Sequence, residues 1–363
     1  MSRPLSIHEY HTHAQTRLPK MVYDYYAGGA RDEITLGDNQ QAYRRLQLRP
    51  RVLRDIRTRD LSTTVLGQSL DVPFVIAPTA FHRMACEDGE EATVRAAGAL
   101  GTAMTLSTLS TTAVEDVTAS ATGPVWFQLY VYTDREATRA LVQRAEDAGC
   151  SAIVLTVDGQ VWGVRERDER NDFTLPEGLA MQNLEASGQA HFPETEGSGL
   201  AAYVNERFDK NLTWDDIDWL AGITDLPLLV KGILRGDDAR RAVEHGADGV
   251  VVSNHGGRQL DTVPATVDVL PEVVRAVRDT ADSDADILVD GGIRRGTDVL
   301  KALALGATAV GVGRPVLWGL AVDGAAGVEH ALSLLRDELD TAMALCGVRS
   351  VDEATPDVVR QPA

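Results

Sequence analysis

The stretch ILVDGGIRRGTDVLKALALGATAVGVGRP, residues 287–315, carries the repeating pattern from which the architecture can be read. An apolar run, ILVD, enters a pair of glycines. DGGIRRG (290–296) then opens a helical pattern that stops at Gly306, where a helix C-terminus favours glycine. A second apolar run, AVGV, enters another glycine turn and an arginine at 311–315. Strand, turn, helix and strand in that order make one unit of a parallel α/β fold.

Runs of the same kind recur upstream: PFVIAP (73–78), AMTLS (103–107), VWFQLY (125–130), AIVLTVD (152–158), LLVKG (228–232) and GVVVSNH (249–255), which with the two above makes eight. They are apolar without alternation, as parallel strands buried on both faces are. Helix punctuation separates them. Thr112 with Glu115, and Thr133 with Glu136, have capping-box spacing, and Gly149 and Gly246 fall where helices should end. Eight such units in succession predict an α/β protein built as a (β/α)8 TIM barrel, because an open sheet of eight parallel strands would be unusual.

One interval is too long: the fourth and fifth runs start at 152 and 228. The extra chain includes the polar piece EASGQAHFPETEGSG (185–199), and long aperiodic loops are commonly lids or binding loops. A single domain over 1–363 is expected, with an N-terminal extension (1–70) of helical pattern plus the strand-like LQLRPRVL, a barrel (71–320) carrying a lid at about 177–210, and a C-terminal helix and tail (321–363).

Composition excludes several functions. Of the 363 residues, 35 are basic and 54 acidic, so the net charge is -19, which repels nucleic-acid phosphates and anionic lipid. Neither nucleic acid nor membrane is an expected partner. At 44% hydrophobic and 25% charged, the chain has the means to build a large core. Only Lys20, Lys210, Lys231 and Lys301 are lysines, which fits either a GC-rich genome or adaptation to high salt. Cys86, Cys150 and Cys346 are odd in number and widely spaced, which argues against a disulfide framework or a metal site. The polar N-terminus has no apolar signal region, so a cytoplasmic location is expected.

In such a barrel the reactive groups come from the C-terminal strand ends. Those ends read Thr79 and Ala80, Ser107, Gln128 and Tyr130, Thr156 and Asp158, Lys231, Ser253 and His255, Asp290, and Gly313 and Arg314. Turn chemistry alone can put one or two polar residues at any single end, but eight such ends together are harder to dismiss. DGGIRRG and GVGRP place glycines, Arg294 and Arg314 in the corner where barrels bind phosphate, which points to a phosphorylated cofactor or substrate. SNHGGRQLD (253–261) sets His255 and Arg258 around two glycines, a general base next to an anchor for a carboxylate.

SNHGGRQLD resembles the active-site signature of the FMN-dependent 2-hydroxy-acid oxidase and dehydrogenase family, and the resemblance covers nearly the whole chain. LPKMVYDYYAGGARDE (18–33), IAPTA (76–80), MTLST (104–108), FQLYVY (127–132), LTVD (155–158), LVKGI (229–233), DGGIRRGTDVLKALALGA (290–307) and GRP (313–315) all match in order. It implies an FMN enzyme that oxidises an (S)-2-hydroxy acid to the 2-oxo acid and reduces O2 to H2O2. Alternatives are a dehydrogenase with another electron acceptor, a lactate 2-monooxygenase, or the more distant FMN-dependent isopentenyl-diphosphate isomerase. The isomerase should lack His255, Arg258 and Tyr25 together.

By the same resemblance His255 is the base, Asp158 orients it, and Tyr130 hydrogen-bonds the substrate oxygen. Arg258, Arg165 and Tyr25 bind the substrate carboxylate, and Lys231 sits by the flavin ring. Thr79, Ala80, Ser107, Gln128, Thr156 and Ser253 line the ring and ribityl chain, while Asp290, Gly292, Arg294, Gly313 and Arg314 hold ribityl and phosphate. A homotetramer is implied, and no metal.

Three departures bear on the subtype. Leu109 stands where plant-type glycolate oxidases have tryptophan, which leaves substrate size open. Ala80 stands where lactate monooxygenases tend to have glycine, which favours release of product and peroxide. Val164-Arg165 replaces a common Arg-Arg pair, leaving Arg165 without its neighbour. The chain has no C-x-x-C-H haem motif and no apolar insert in the long fourth interval, which makes a soluble oxidase the better fit.

Overall fold

A computed structural model describes residues 3–280 and 284–360. The ends of the expected domain range, 1–2 and 361–363, and the internal positions 281–283 lie outside the described residues. Each of the eight apolar runs forms a strand: β1 (Phe74–Ile76), β2 (Met104–Ser107), β3 (Val125–Leu129), β4 (Ile153–Thr156), β5 (Leu228–Ile233), β6 (Gly249–Val252), β7 (Asp286–Asp290) and β8 (Ala309–Val312). They pair in parallel, each with the next, and β8 returns to β1, so the sheet closes into a barrel. This is the (β/α)8 fold that the sequence predicts.

The strands are apolar throughout because both faces are buried. Val75, Trp126, Val154, Leu229, Val251, Leu288 and Ala309 pack together as one cluster, while their neighbours, among them Phe74, Ile76, Phe127, Ile153, Val230 and Val250, pack in the larger cluster with the helices. Period-two alternation sends successive side chains to opposite sides of a strand. A hairpin, Thr63–Val65 with Gln68–Leu70, plugs the barrel's N-terminal end: Val65 and Leu70 join the smaller cluster, and Gln68 accepts from the Trp126 indole at 3.0 Å.

Several local expectations are corrected. Neither proposed capping box forms. Ala113 precedes the helix Val114–Ala119, because the Thr112 hydroxyl donates to Glu90 and Glu115 pairs with Arg144. Asp134, not Thr133, caps Arg135–Asp147, accepting from the backbone of Glu136 and Ala137. In LQLRPRVL only Gln47–Leu48 is strand, paired with Val359–Arg360. Pro50 lacks a donor, and Leu53 is left-handed at φ 58°. The last helix starts at Arg314, directly from β8, and runs to Cys346 with a break at Asp323 and Gly324.

The long excursion after β4 is folded rather than aperiodic. It holds helices Glu166–Arg170, Gly199–Arg207 and Asp215–Ala221, and buries Met181, Leu184, Leu200, Tyr203 and Phe208. Its polar piece supplies Ser198, which caps the helix Gly199–Arg207 through its hydroxyl. Among the described residues no helix is long and apolar enough to cross a membrane.

Candidate active site

With the N-terminal end plugged, the C-terminal strand ends open into a cavity. Its wall takes Thr79 and Ala80 after β1, Ser107 and Leu109 at β2, Gln128 and Tyr130 at β3, Thr156 at β4, Lys231 in β5, His255 and Arg258 after β6, Asp290, Gly292 and Arg294 at β7, and Gly313 and Arg314 after β8. Tyr25 enters from the N-terminal extension and Arg165 from the long excursion. Two expected residues stand off the wall. Asp158 lies behind His255, and Ser253 is fully buried, donating nothing to the cavity but accepting from the Lys231 ammonium at 3.1 Å and from the His255 backbone at 3.1 Å.

The loop after β6 aims His255. Three successive residues, His255, Gly256 and Gly257, are left-handed at φ 57°, 65° and 75°. A side chain at Gly257 would meet the Leu36 nitrogen at 2.6 Å, so only glycine fits there. Asn254 and Asn39 exchange amide hydrogen bonds of 2.9 and 2.8 Å beneath the turn and hold it in place. A left-handed histidine costs on the order of 1–3 kcal/mol, a strain that functional loops commonly retain.

His255 Nδ1 is 2.9 Å from Asp158 Oδ1, and its Nε2 faces the Tyr130 hydroxyl at 3.5 Å. Burial lowers the imidazole pKa, with Lys231 and Arg165 adding to the fall and Asp158 opposing it, so the ring is neutral at neutral pH. Burial pushes the Asp158 carboxyl up, but His255 and Lys231 outweigh it and hold it below its ordinary value. A carboxylate on Nδ1 assigns the ring proton there and leaves Nε2 as the acceptor, the arrangement of an oriented general base. Burial, reinforced by Asp158, raises the Tyr130 hydroxyl pKa, so that group stays a donor.

Beside this base stand two guanidiniums. Arg165 is buried, stacked 3.7 Å over the Trp162 ring, and burial followed by Arg258 lowers its pKa to about 10. The neighbour it lacks at Val164 is thus replaced by an aromatic face. Arg258 lies 4.8 Å over the Tyr25 ring and donates to the Tyr25 and Gly28 carbonyls at 2.6 and 2.9 Å.

The opposite end of the cavity suits FMN. Arg294 is half-buried, with a side-chain bond to the Ile293 carbonyl at 2.7 Å, and burial of its charged group lowers its pKa to about 10. Arg314 donates to the carbonyls of Tyr26, Gly256 and Gly28, and burial, then Arg258 and Arg294, pulls its pKa well down. Among the described residues neither forms an ion pair with a carboxylate, so the two charges match a phosphate dianion at the start of the helix that opens at Arg314. Asp290 Oδ1 is buried without a hydrogen-bond partner while Oδ2 lies 3.6 Å from Lys231, leaving an acceptor for a ribityl hydroxyl. Ser107, Gln128 and Thr156 form a hydrogen-bonded row of polar groups for a heteroaromatic edge.

Sequence reasoning missed one wall. Leu200 and Val204, four apart on the helix Gly199–Arg207, with Phe208, the extended residue that ends it, and Trp162 line the cavity from the long excursion. Phe208 stacks on Tyr130 at 4.5 Å. The i, i+4 spacing of Leu200 and Val204 was the available signal.

A (β/α)8 barrel whose cavity has, among the described residues, two guanidiniums without carboxylate partners at one end and a carboxylate-oriented histidine beside two more guanidiniums at the other has the layout of a flavin oxidoreductase acting on an organic acid. The comparisons agree. A model of the FMN-dependent dehydrogenase family matches residues 14–361, and the chain belongs to that family, whose cofactor is FMN. It is an FMN-dependent oxidoreductase of 2-hydroxy acids. The chain is 53% identical to an L-lactate oxidase of Nostoc sp., over 97% of both chains. It is 50% identical to 2-hydroxyacid oxidase 1 of Homo sapiens, over 99% of this chain and 98% of the relative. A solved structure of mandelate oxidase with (S)-4-hydroxymandelic acid superposes with a TM-score of 0.92 at 42% identity, over 98% of each chain.

Proposed function

We propose that the protein oxidises an (S)-2-hydroxy acid, R–CHOH–COO⁻, to R–CO–COO⁻ and passes the two electrons and two protons to O2, giving H2O2. The observation that carries this reading is the convergence of the His255–Asp158 pair and the Arg165–Arg258 anchor on one cavity. Names of the relatives, which include lactate, glycolate and 2-hydroxyacid oxidases, support it.

FMN, when bound, supplies the two-electron acceptor. Arg294 and Arg314 hold its phosphate, with Gly292 and Gly313 leaving room for close approach. Asp290 binds the ribityl chain, and Thr79, Ala80, Ser107, Gln128, Thr156 and Lys231 surround the ring, with Ser253 steadying Lys231 from beneath. Arg165 and Arg258 take the substrate carboxylate, a geometry guanidiniums match, and Tyr25 braces Arg258. Leu109 contacts the substituent on carbon 2. His255 Nε2 takes a proton from the substrate, and Asp158 stabilises the imidazolium that results. Tyr130 donates to the substrate oxygen that becomes the carbonyl.

The test is anaerobic mixing of the yellow holoenzyme with 2-hydroxy acids, followed by oxygen uptake and peroxide measured together. Bleaching of FMN with equal oxygen uptake and peroxide is expected. Bleaching without oxygen uptake would remove the oxidase reading, and fast bleaching by His255→Ala would remove the base.

A cytoplasmic homotetramer is part of the same proposal. Cys86, Cys150 and Cys346 are all unpaired, as suits a reducing compartment, and symmetric homo-oligomers are the usual state of soluble enzymes. Light scattering at four chain masses, and cell fractionation, test the two parts.

A further inference from the structure

Asp168, on the helix Glu166–Arg170, has no part in the chemistry above, yet its carboxylate is buried at 1% exposure. Its Oδ2 has no hydrogen-bond partner and lies 3.7 Å from Arg165 Nη1. Arg165 is itself only 4% exposed. Burial raises the Asp168 carboxyl pKa above its ordinary value, and the charges of Arg258 and then Arg165 oppose that rise. An acid this deep persists only where cations compensate it, and here the cations are the two anchor guanidiniums.

We propose that Asp168 determines specificity by charge: it cancels one of the two anchor charges, so the cavity takes monoanionic 2-hydroxy acids with an apolar substituent and rejects dicarboxylic ones. This rests on the assignment of Arg165 and Arg258 as the carboxylate anchor. With Asp168 behind them they present one net positive charge, which a single carboxylate neutralises. A second carboxylate has nowhere to go. Lys231 is already paired with Asp290 at 3.6 Å, and Arg294 and Arg314 match the phosphate. The wall available to the substituent is Leu109, Leu200, Val204, Phe208 and Trp162, which carries no charge and whose one unpartnered polar atom is the Trp162 indole nitrogen. Burying an unpaired carboxylate there would cost far more than burying a methyl group.

The experiment uses pairs that differ by a methyl against a carboxylate. Dissociation constants of the non-oxidisable butanoate and succinate are measured on the holoenzyme from the change in FMN absorption, and kcat/KM is compared for 2-hydroxybutanoate and malate. The wild type is expected to prefer the monoanion in both pairs. Asp168→Asn should move both ratios towards the dianion by on the order of tenfold or more, and Asp168→Glu should restore them. A merely structural role would weaken both members of a pair alike, and that result, or an unchanged ratio, overturns the proposal. Should Asp168→Asn fail to fold, Val204→Lys supplies the missing cation from the opposite wall and must move the ratio in the same direction; an unmoved ratio again overturns it. If no 2-hydroxy acid bleaches wild-type FMN, the oxidase reading fails. If both classes bleach it equally well, only this inference fails.

Discussion

Asp158→Asn tests the base most directly, because it removes a charge while keeping the shape of the side chain. Asp158 Oδ1 lies 2.9 Å from His255 Nδ1, so the charge centres are about 4 Å apart when the imidazolium forms. At an effective dielectric constant of about 20, that attraction is about 4 kcal/mol. Its loss from the proton-transfer step predicts a fall of about three orders of magnitude in the rate of FMN reduction. FMN itself should stay bound, since Asp158 lies behind His255 and off the cavity wall. The pH profile carries a second signature. His255 works as the neutral base and its pKa is already lowered, so the wild-type rate should rise through a midpoint below the ordinary histidine value of about 6.5 and stay flat above it. Asp158 raises that pKa, so its removal should shift the acid limb further down while the plateau drops. The assay is anaerobic stopped-flow reduction by 2-hydroxybutanoate across pH, with FMN content measured in parallel. A plateau within about threefold of wild type, or an acid limb that moves up, would refute the reasoning.

Arg294→Gln should weaken FMN binding by roughly 10- to 150-fold, the worth of one charged hydrogen bond, as read from FMN fluorescence on dilution. Phe208→Ala removes a buried ring stacked on Tyr130 and should cost about 3–5 kcal/mol by urea unfolding, with a higher KM for bulky substrates. Gly257→Ala forces a side chain against the Leu36 backbone at φ 75° and should destabilise by more than about 1 kcal/mol, with loss of reduction rate because the same turn aims His255.

Much of this site is legible in the linear order. Strand ends in a barrel converge on one face, so Gln128, Lys231, His255 and Arg314 could be assigned to one cavity before any coordinates. Glycines at 256, 257 and 292 marked backbone that must pass close to something else. Less legible were residues whose role depends on the partner they meet. Ser253 has the position of a wall residue but accepts from Lys231, because each lies two residues beyond an interior side chain, Val251 and Leu229, so the two meet inside the barrel. Trp162, Leu200 and Val204 belong to an excursion whose polar stretch suggested an open loop. Asp168 reads as one acid among several in a charged helical turn, and only burial beside Arg165 distinguishes it.

The barrel, and the set of polar residues and glycines gathered at its mouth, follow from the linear order alone, since they come from apolar runs, glycine turns and residue types at fixed places on a repeating unit. The charge and shape of the cavity, by contrast, come from packing. Residues 25, 165, 168, 204 and 258 come from separate stretches of chain, and their mutual distances, burial and electrostatic balance exist only once the extension and the excursion pack over the barrel.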